Sequence, residues 1–206
     1  RMLLLLLPSL LALGGAVYWT AAYIRTETEQ SAVREGDQLA KTIANETKAT
    51  LEVPLDSVRV LAQAFAGLKS AGIIERDHYL PILHETLTGN PAFLNVWVVF
   101  EPDALDGADA AHAGETGSDA NGRFAPAWRR TSTGEILSTQ NHDAASTYRT
   151  ARDSGKEAIA EPYRITVDNK EVLITSLTAP IRHNGKTIGV AGIDISLDAL
   201  GAHLKT

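Results

Sequence analysis

EPYRITVDNKEVLITSLTAPIRHNGKTIGVAGIDISL, residues 161–197, decides the fold, because it reads as three consecutive antiparallel strands ending on one acidic residue. Tyr163 to Val167 and Glu171 to Ile181 are rich in β-branched residues, and Asp168-Asn169 between them supplies a tight turn. Asn184-Gly185 turns the chain again into Lys186 to Ile195. The last strand alternates small and bulky apolar residues until Asp194 interrupts it. An acid at the end of a buried strand needs a partner.

Upstream, the pattern changes from period two to the helical period. Leu39, Ile43, Thr47, Leu51, Leu55, Val58, Ala62 and Phe65 recur at spacings of three and four, which predicts one amphipathic helix over 25–71 with Pro54 as a kink. Such a stripe suits either packing on a core or pairing with a second copy. Glu75 to Thr88 reads as a shorter helix broken by Gly89-Asn90-Pro91, and Leu94 to Phe100 as the first clear strand. Glu101 to Gly122, rich in Asp, Ala and Gly, reads as a surface excursion. Phe124 to Arg130 and Ile136 to Ser138 form a hairpin turned at Gly134, Thr147 to Asp153 a short helix closed by Gly155, and Ser196 a cap for a final helix. Helices followed by strands indicate an α+β domain with an antiparallel sheet.

Met2 to Ile24 carry no charge, and such a helix would be roughly 34 Å long, enough to span a bilayer. Tyr18, Trp19 and Tyr23 stand where an interfacial aromatic belt would lie. A cleaved signal peptide is the competing reading. The division is therefore a membrane helix over 2–24, the long helix over 25–71 and an α+β module over 72–206.

The chain has 206 residues, 44% hydrophobic, with a net charge of −6 and no cysteine. That charge and the lack of a basic run argue against nucleic acid, and the missing thiols exclude disulfides and iron–sulfur clusters. No cofactor or nucleotide motif is present, nor a nucleophile elbow or HExxH, so catalysis is not expected. Asp103, Asp106, Asp109 and Asp119 invite a calcium reading, but the alternate positions after Asp103 are Leu105 and Gly107, and no glutamate closes the loop. The histidines lack metal-ligand spacing.

The membrane helix leading into a long helix, WVVFEPDALDG at Trp97 to Gly107, GRFAPAW at Gly122 to Trp128, YRTARDSGKEAIAEPY at Tyr148 to Tyr163, and ITSLTAPI followed by GKTIGVAGIDISL together resemble the double-Cache extracytoplasmic sensor domains of bacterial chemoreceptors and related receptor kinases. The resemblance implies a PAS-like membrane-distal module that binds a small organic ligand, paired as a homodimer through the long helix. In the amino-acid-binding branch an Arg-x-Trp-Tyr element grips the ligand carboxylate and a final Asp holds its ammonium. Tyr148, Tyr163 and Asp194 match that pattern, while Ala145 and Thr147 replace the arginine and the tryptophan.

The expected ligand site is therefore Trp128, Arg129, Tyr148, Tyr163 and Asp194. An acidic aromatic pocket of this kind suits an amine, through charge and cation–π attraction, while Arg129 or Arg123 would serve a carboxylate. Arg129 and Arg130 alternate along a strand, so only one can face inward. Each residue has an ordinary reading too: Asp194 as a helix cap or arginine partner, Tyr163 as core, Trp128 and Trp97 as packing. A partner-binding domain without a small ligand is the remaining alternative.

Overall fold

The computed structural model describes residues 38, 41, 42, 51–140 and 146–197. The apolar run 2–24 and most of the helix expected before residue 51 lie outside the described residues, and no helix among those described is long and apolar enough to cross a membrane. The chain divides into two compact units, Arg1–Ala49 and Thr50–Thr206. In the first, Gln38, Lys41 and Thr42 are helical and the Thr42 hydroxyl donates to the Gln38 carbonyl at 3.0 Å.

The second unit begins with helix α1, 51–70, which runs through Pro54 without a break. It ends where Gly72 adopts a left-handed φ of 78° and Ile73 N–H returns to the Leu68 carbonyl, a glycine C-cap that satisfies the last carbonyls. The segment expected as one helix over 75–88 is split: a 3-10 turn at Arg76–His78, then α2 at Leu80–Thr88. Pro81 explains the break, since proline fits only the first turn of a helix.

Seven strands follow: β1 Phe93–Phe100, β2 Pro126–Thr131, β3 Gly134–Thr139, β4 Ala158–Ile159, β5 Tyr163–Val167, β6 Lys170–His183 and β7 Lys186–Ser196, with α3 at Ser146–Ser154 before β4. They make one antiparallel sheet in the order β3-β2-β1-β7-β6-β4, and β5 pairs with β6 beyond β4. Asp168, Asn169, Asn184 and Gly185 take positive φ, the geometry of two-residue hairpin turns whose twist matches the strands. The tips of the outer hairpins meet: Ser132 N–H, between β2 and β3, donates to Asp168 Oδ2, between β5 and β6, at 2.6 Å.

Alternation along the strands divides the sheet into two faces. One carries Val96, Val98 and Phe100 of β1, Leu177, Ala179 and Ile181 of β6, and Ala191, Ile193 and Ile195 of β7; against it pack Val58, Leu61, Ala62 and Phe65 of α1 and Leu83 and Leu87 of α2. The α1 stripe is thus a core-facing stripe. Val53 and Val60, 61% and 64% exposed, point away from it. The opposite face carries Trp97, Val99, Ala127 and Val190, covered by Tyr148 and Ala151 of α3.

The loop expected as a solvated excursion over 101–122 is fastened from within. Arg76, 8% exposed, donates to both Asp106 oxygens at 2.6 and 3.2 Å, to Asp109 at 2.7 Å, to Ser118 at 2.9 Å and to the Gly122 carbonyl at 2.7 Å. Two acids of the Asp cluster are therefore the counter-ions of one buried guanidinium, whose donors are all used. Burial alone would raise the Asp106 carboxyl, but the hydrogen bonds from Arg76 and from Ala108 N–H, with the nearby positive charges, hold it below the usual aspartate range.

Candidate functional site

The face under α3 holds the most polar part of the sheet interior. Asn95 of β1 pairs across the sheet with Arg129 of β2 on one side and Asp194 of β7 on the other, and Asp194 pairs with Ser176 of β6. Directly paired residues share a face about 5 Å apart. Arg129, Asn95, Asp194 and Ser176 therefore form one polar row across four strands.

Asp194 is 4% exposed and its carboxylate is gripped from three directions. Asn95 Nδ2 donates to Oδ2 at 2.9 Å, and Trp97 Nε1 and Ser176 Oγ donate to Oδ1 at 3.2 and 2.5 Å. Because Ser176 spends its one proton on Asp194, the Tyr163 hydroxyl, 2.7 Å from Ser176 Oγ, is the donor in that contact. A relay thus runs from the buried carboxylate to a ring that is 41% exposed. A carboxylate accepts about four hydrogen bonds; among the described residues three are made, one of them to Oδ2, which leaves that oxygen room for another. Burial pushes the Asp194 carboxyl above its ordinary range, opposed by the Ser176, Asn95 and Trp97 hydrogen bonds and the Arg129 charge. Burial, then the Asp194 charge, raises the Tyr163 phenol.

Trp97 reaches Asp194 only because its neighbour in the register is glycine. Gly192 faces Trp97 across β1 and β7, and a Cβ there would lie 2.1 Å from ring atoms Cε2 and Cζ2. The indole ring lies over Gly192 and aims its N–H at Asp194, two residues along the same strand.

Of the five residues expected at the site, the structure places Arg129, Tyr163 and Asp194 together. Trp128 stands on the other face, packed with the core beneath α2, its ring 4.4 Å from that of His84. The reason is parity: neighbours on β2 alternate, and Arg129 takes the Asp194 side. Arg130 accordingly points to α2, donating to the Leu87 and Phe93 carbonyls at 2.6 and 3.3 Å. Tyr148 lies under α3, 1% exposed, on the Asp194 side of the sheet but engaged elsewhere. Its hydroxyl donates to Glu101 and accepts from Arg123, and the Arg123 and Arg152 guanidinium carbons sit 5.3 and 5.5 Å from its ring centre. Two cations already use that ring, so the expected aromatic cage of Tyr148 and Trp128 around Asp194 is not assembled. Burial, then the bond to Glu101, pushes the Tyr148 phenol up to about 12.

Arg123, the other arginine considered for a carboxylate, is committed to the Phe100 carbonyl, Glu101 and Tyr148. Ala145 lies outside the described residues. Asn95 and Ser176 are not among the expected site residues, and Trp97, weighed there chiefly as packing, also donates to Asp194. Asn95 was detectable in principle as the one amide in the apolar run FLNVWVVF. Among the described residues no group of three or more acidic or histidine side chains is gathered for a metal ion.

Comparison with known proteins gives concordant results. The family model described as methyl-accepting chemotaxis protein-like, first PDC sensor domain, matches residues 79–202. The methyl-accepting chemotaxis protein TlpQ of Pseudomonas aeruginosa is 33% identical over 132 residues, which cover 56% of this chain and 18% of that protein. The chain therefore corresponds to a small part of that curated relative. Among solved structures, the extracellular domain of histidine kinase mmHK1S-Z3 superposes with a TM-score of 0.68 at 29% identity, covering 77% of this chain and 56% of that one. Methyl-accepting chemotaxis protein X gives 0.60 at 31% identity, with 78% and 63% covered. The sensory domain of the Campylobacter jejuni chemoreceptor Tlp3 with isoleucine bound gives 0.59 at 18% identity, with 85% and 63% covered, a likeness of fold alone.

Proposed function

Because the chain belongs to the methyl-accepting chemotaxis protein-like family of first PDC sensor domains, we propose that it is the extracytoplasmic sensing module of a transmembrane receptor that reports a small organic ligand. The observation that carries the site is Asp194: a buried carboxylate with an open lone pair, in a polar row on the face away from α1. A buried carboxylate with acceptor capacity to spare is matched by a cationic N–H donor, so an amine end of the ligand belongs there. Ser176 holds Oδ1 and is in turn held by Tyr163, and Arg129 stands across Asn95 from the carboxylate, where it can donate to the ligand's other end. The match to chemotaxis proteins favours a chemoreceptor output; the superposition on a histidine kinase extracellular domain favours a receptor kinase as the second reading.

In this reading the run 2–24 anchors the chain in the inner membrane and residues from about 25 onward face the periplasm. The exposed Val53 and Val60, seven apart on α1, mark the stripe that pairs with a second copy. Ligand binding moves the sheet relative to α1, which is tied to the loop after α3 by the Arg59 guanidinium, 2.5 and 2.8 Å from the two Glu157 oxygens. Only a ligand that binds the two arrangements unequally shifts their populations. The test is a thermal-shift screen of the full chain in detergent against amines, amino acids, carboxylates and purines. Stabilisation by amines that disappears in Asp194→Asn supports the assignment, and a response indifferent to that substitution overturns it.

A further inference from the structure

Two polar atoms of the row are buried without a hydrogen-bond partner, and they belong to adjacent residues. Asn95 is 1% exposed, and its Nδ2 must face Asp194, since the amide oxygen would meet a carboxylate there. Its Oδ1 is thereby fixed as a buried acceptor with nothing to accept from among the described residues. On the neighbouring strand, Arg129 Nε is a buried donor with no acceptor among the described residues. The two residues are direct cross-strand partners, so one small group can touch both. An unmade hydrogen bond at a buried group costs free energy, and native interiors rarely keep two such atoms side by side.

We propose that Asn95 Oδ1 and Arg129 Nε form a second ligand subsite beside Asp194, one that takes a group able to donate and accept at once: a hydroxyl or a primary amide. The proposal rests on the assignment of Asp194 to the amine end of the ligand. A hydroxyl accepts from Arg129 and donates to Asn95. A carboxylate also accepts from Arg129 but sets its oxygens against the Asn95 oxygen, two acceptors facing each other. A methyl group leaves both atoms unpaired. The subsite therefore selects short amines carrying a neutral polar group over plain alkylamines and over α-amino acids.

Calorimetric titration of the full chain in detergent with ethanolamine, glycinamide, ethylamine and glycine tests this. Ethanolamine and glycinamide should bind at least about tenfold more tightly than ethylamine and glycine, the cost of leaving a buried polar pair unmade. In Arg129→Met the advantage of ethanolamine over ethylamine should collapse. Equal binding of ethanolamine and ethylamine by the unaltered protein overturns the subsite while leaving the Asp194 assignment standing, as does glycine binding more tightly than ethanolamine. If none of the four binds and Asp194→Asn changes no thermal response, the Asp194 assignment itself is wrong. The subsite is then decided by a crystal structure of the ligand-free protein. A water within about 3.2 Å of both Asn95 Oδ1 and Arg129 Nε supports a donor–acceptor subsite, and a direct hydrogen bond between the two side chains eliminates it.

Discussion

Gly192→Ala is the sharpest test of how the site is built. The added Cβ would stand 2.1 Å from Trp97 Cε2 and Cζ2 and 2.7 Å from Cδ2. Carbon atoms pack at about 3.5 to 4.0 Å, so the ring must retreat by roughly 1.5 Å. Trp97 is 1% exposed, so its ring can retreat only against packed neighbours. Overpacking of this kind costs about 1 to 3 kcal/mol. The displaced indole also gives up its 3.2 Å hydrogen bond to Asp194, and a bond to a charged acceptor is worth about 1.5 to 3 kcal/mol. A loss of roughly 4 kcal/mol lowers the melting temperature of a domain this size by about 10 °C. Thermal unfolding followed by far-ultraviolet circular dichroism measures it, with Gly67→Ala as the comparison, because a Cβ at Gly67 meets nothing within 4 Å. That helical substitution should be neutral or raise stability by up to about 1 kcal/mol. If Gly192→Ala melts within about 3 °C of the parent, Trp97 does not lie over Gly192 and the geometry around Asp194 is wrong.

Asp194→Asn should stabilise the protein at neutral pH, because an amide can face Asn95 after that amide turns over and still accept from Trp97 and Ser176. The raised Asp194 carboxyl gives the sign: the parent keeps its full stability below the ordinary aspartate range and loses some as pH rises through the higher folded value. The gain from Asp194→Asn should thus grow from acid to neutral in melting curves across pH, and a pH-independent difference would contradict it. Arg76→Met strips Asp106 and Asp109 of their shared buried guanidinium and should cost about 3 to 5 kcal/mol, with proteolytic cleavage appearing within 101–122; resistance equal to the parent's would show that the loop is held by other means. Val53→Asp with Val60→Asp should shift sedimentation of the full chain in detergent from dimer to monomer with unchanged circular dichroism, since both side chains are exposed. Unaltered sedimentation would remove this stripe from the pairing surface.

The closing hairpins were legible because each turn carries its own signal: Asp168-Asn169 and Asn184-Gly185 tolerate the left-handed backbone that a two-residue turn demands. The described part of the long helix, 51–70, was legible from its stripe, and Asp194 from being an acid in an apolar strand. What sequence hides is register between strands distant along the chain. Asn95 meets Asp194 across 99 positions, and nothing near either residue announces the other. For the same reason the side of Trp128 was unreadable: alternation says that Trp128 and Arg129 face opposite ways, but only pairing with β1 says which way. The acidic loop looked solvated because its counter-ion, Arg76, stands 30 positions upstream of Asp106 in a different element.

The touching hairpin tips have a further use. A 2.6 Å hydrogen bond between Ser132 and Asp168 joins the β2–β3 wing to the β5–β6 wing. Arg129 belongs to the first wing and Tyr163 to the second, on either side of Asp194. The wings are therefore the jaws of a caliper, and the gap between residues 132 and 168 is its scale. The chain has no cysteine to confuse a pair of thiol labels at those two positions. Distances read there with and without an added amine would report whether the sheet changes its curvature on binding.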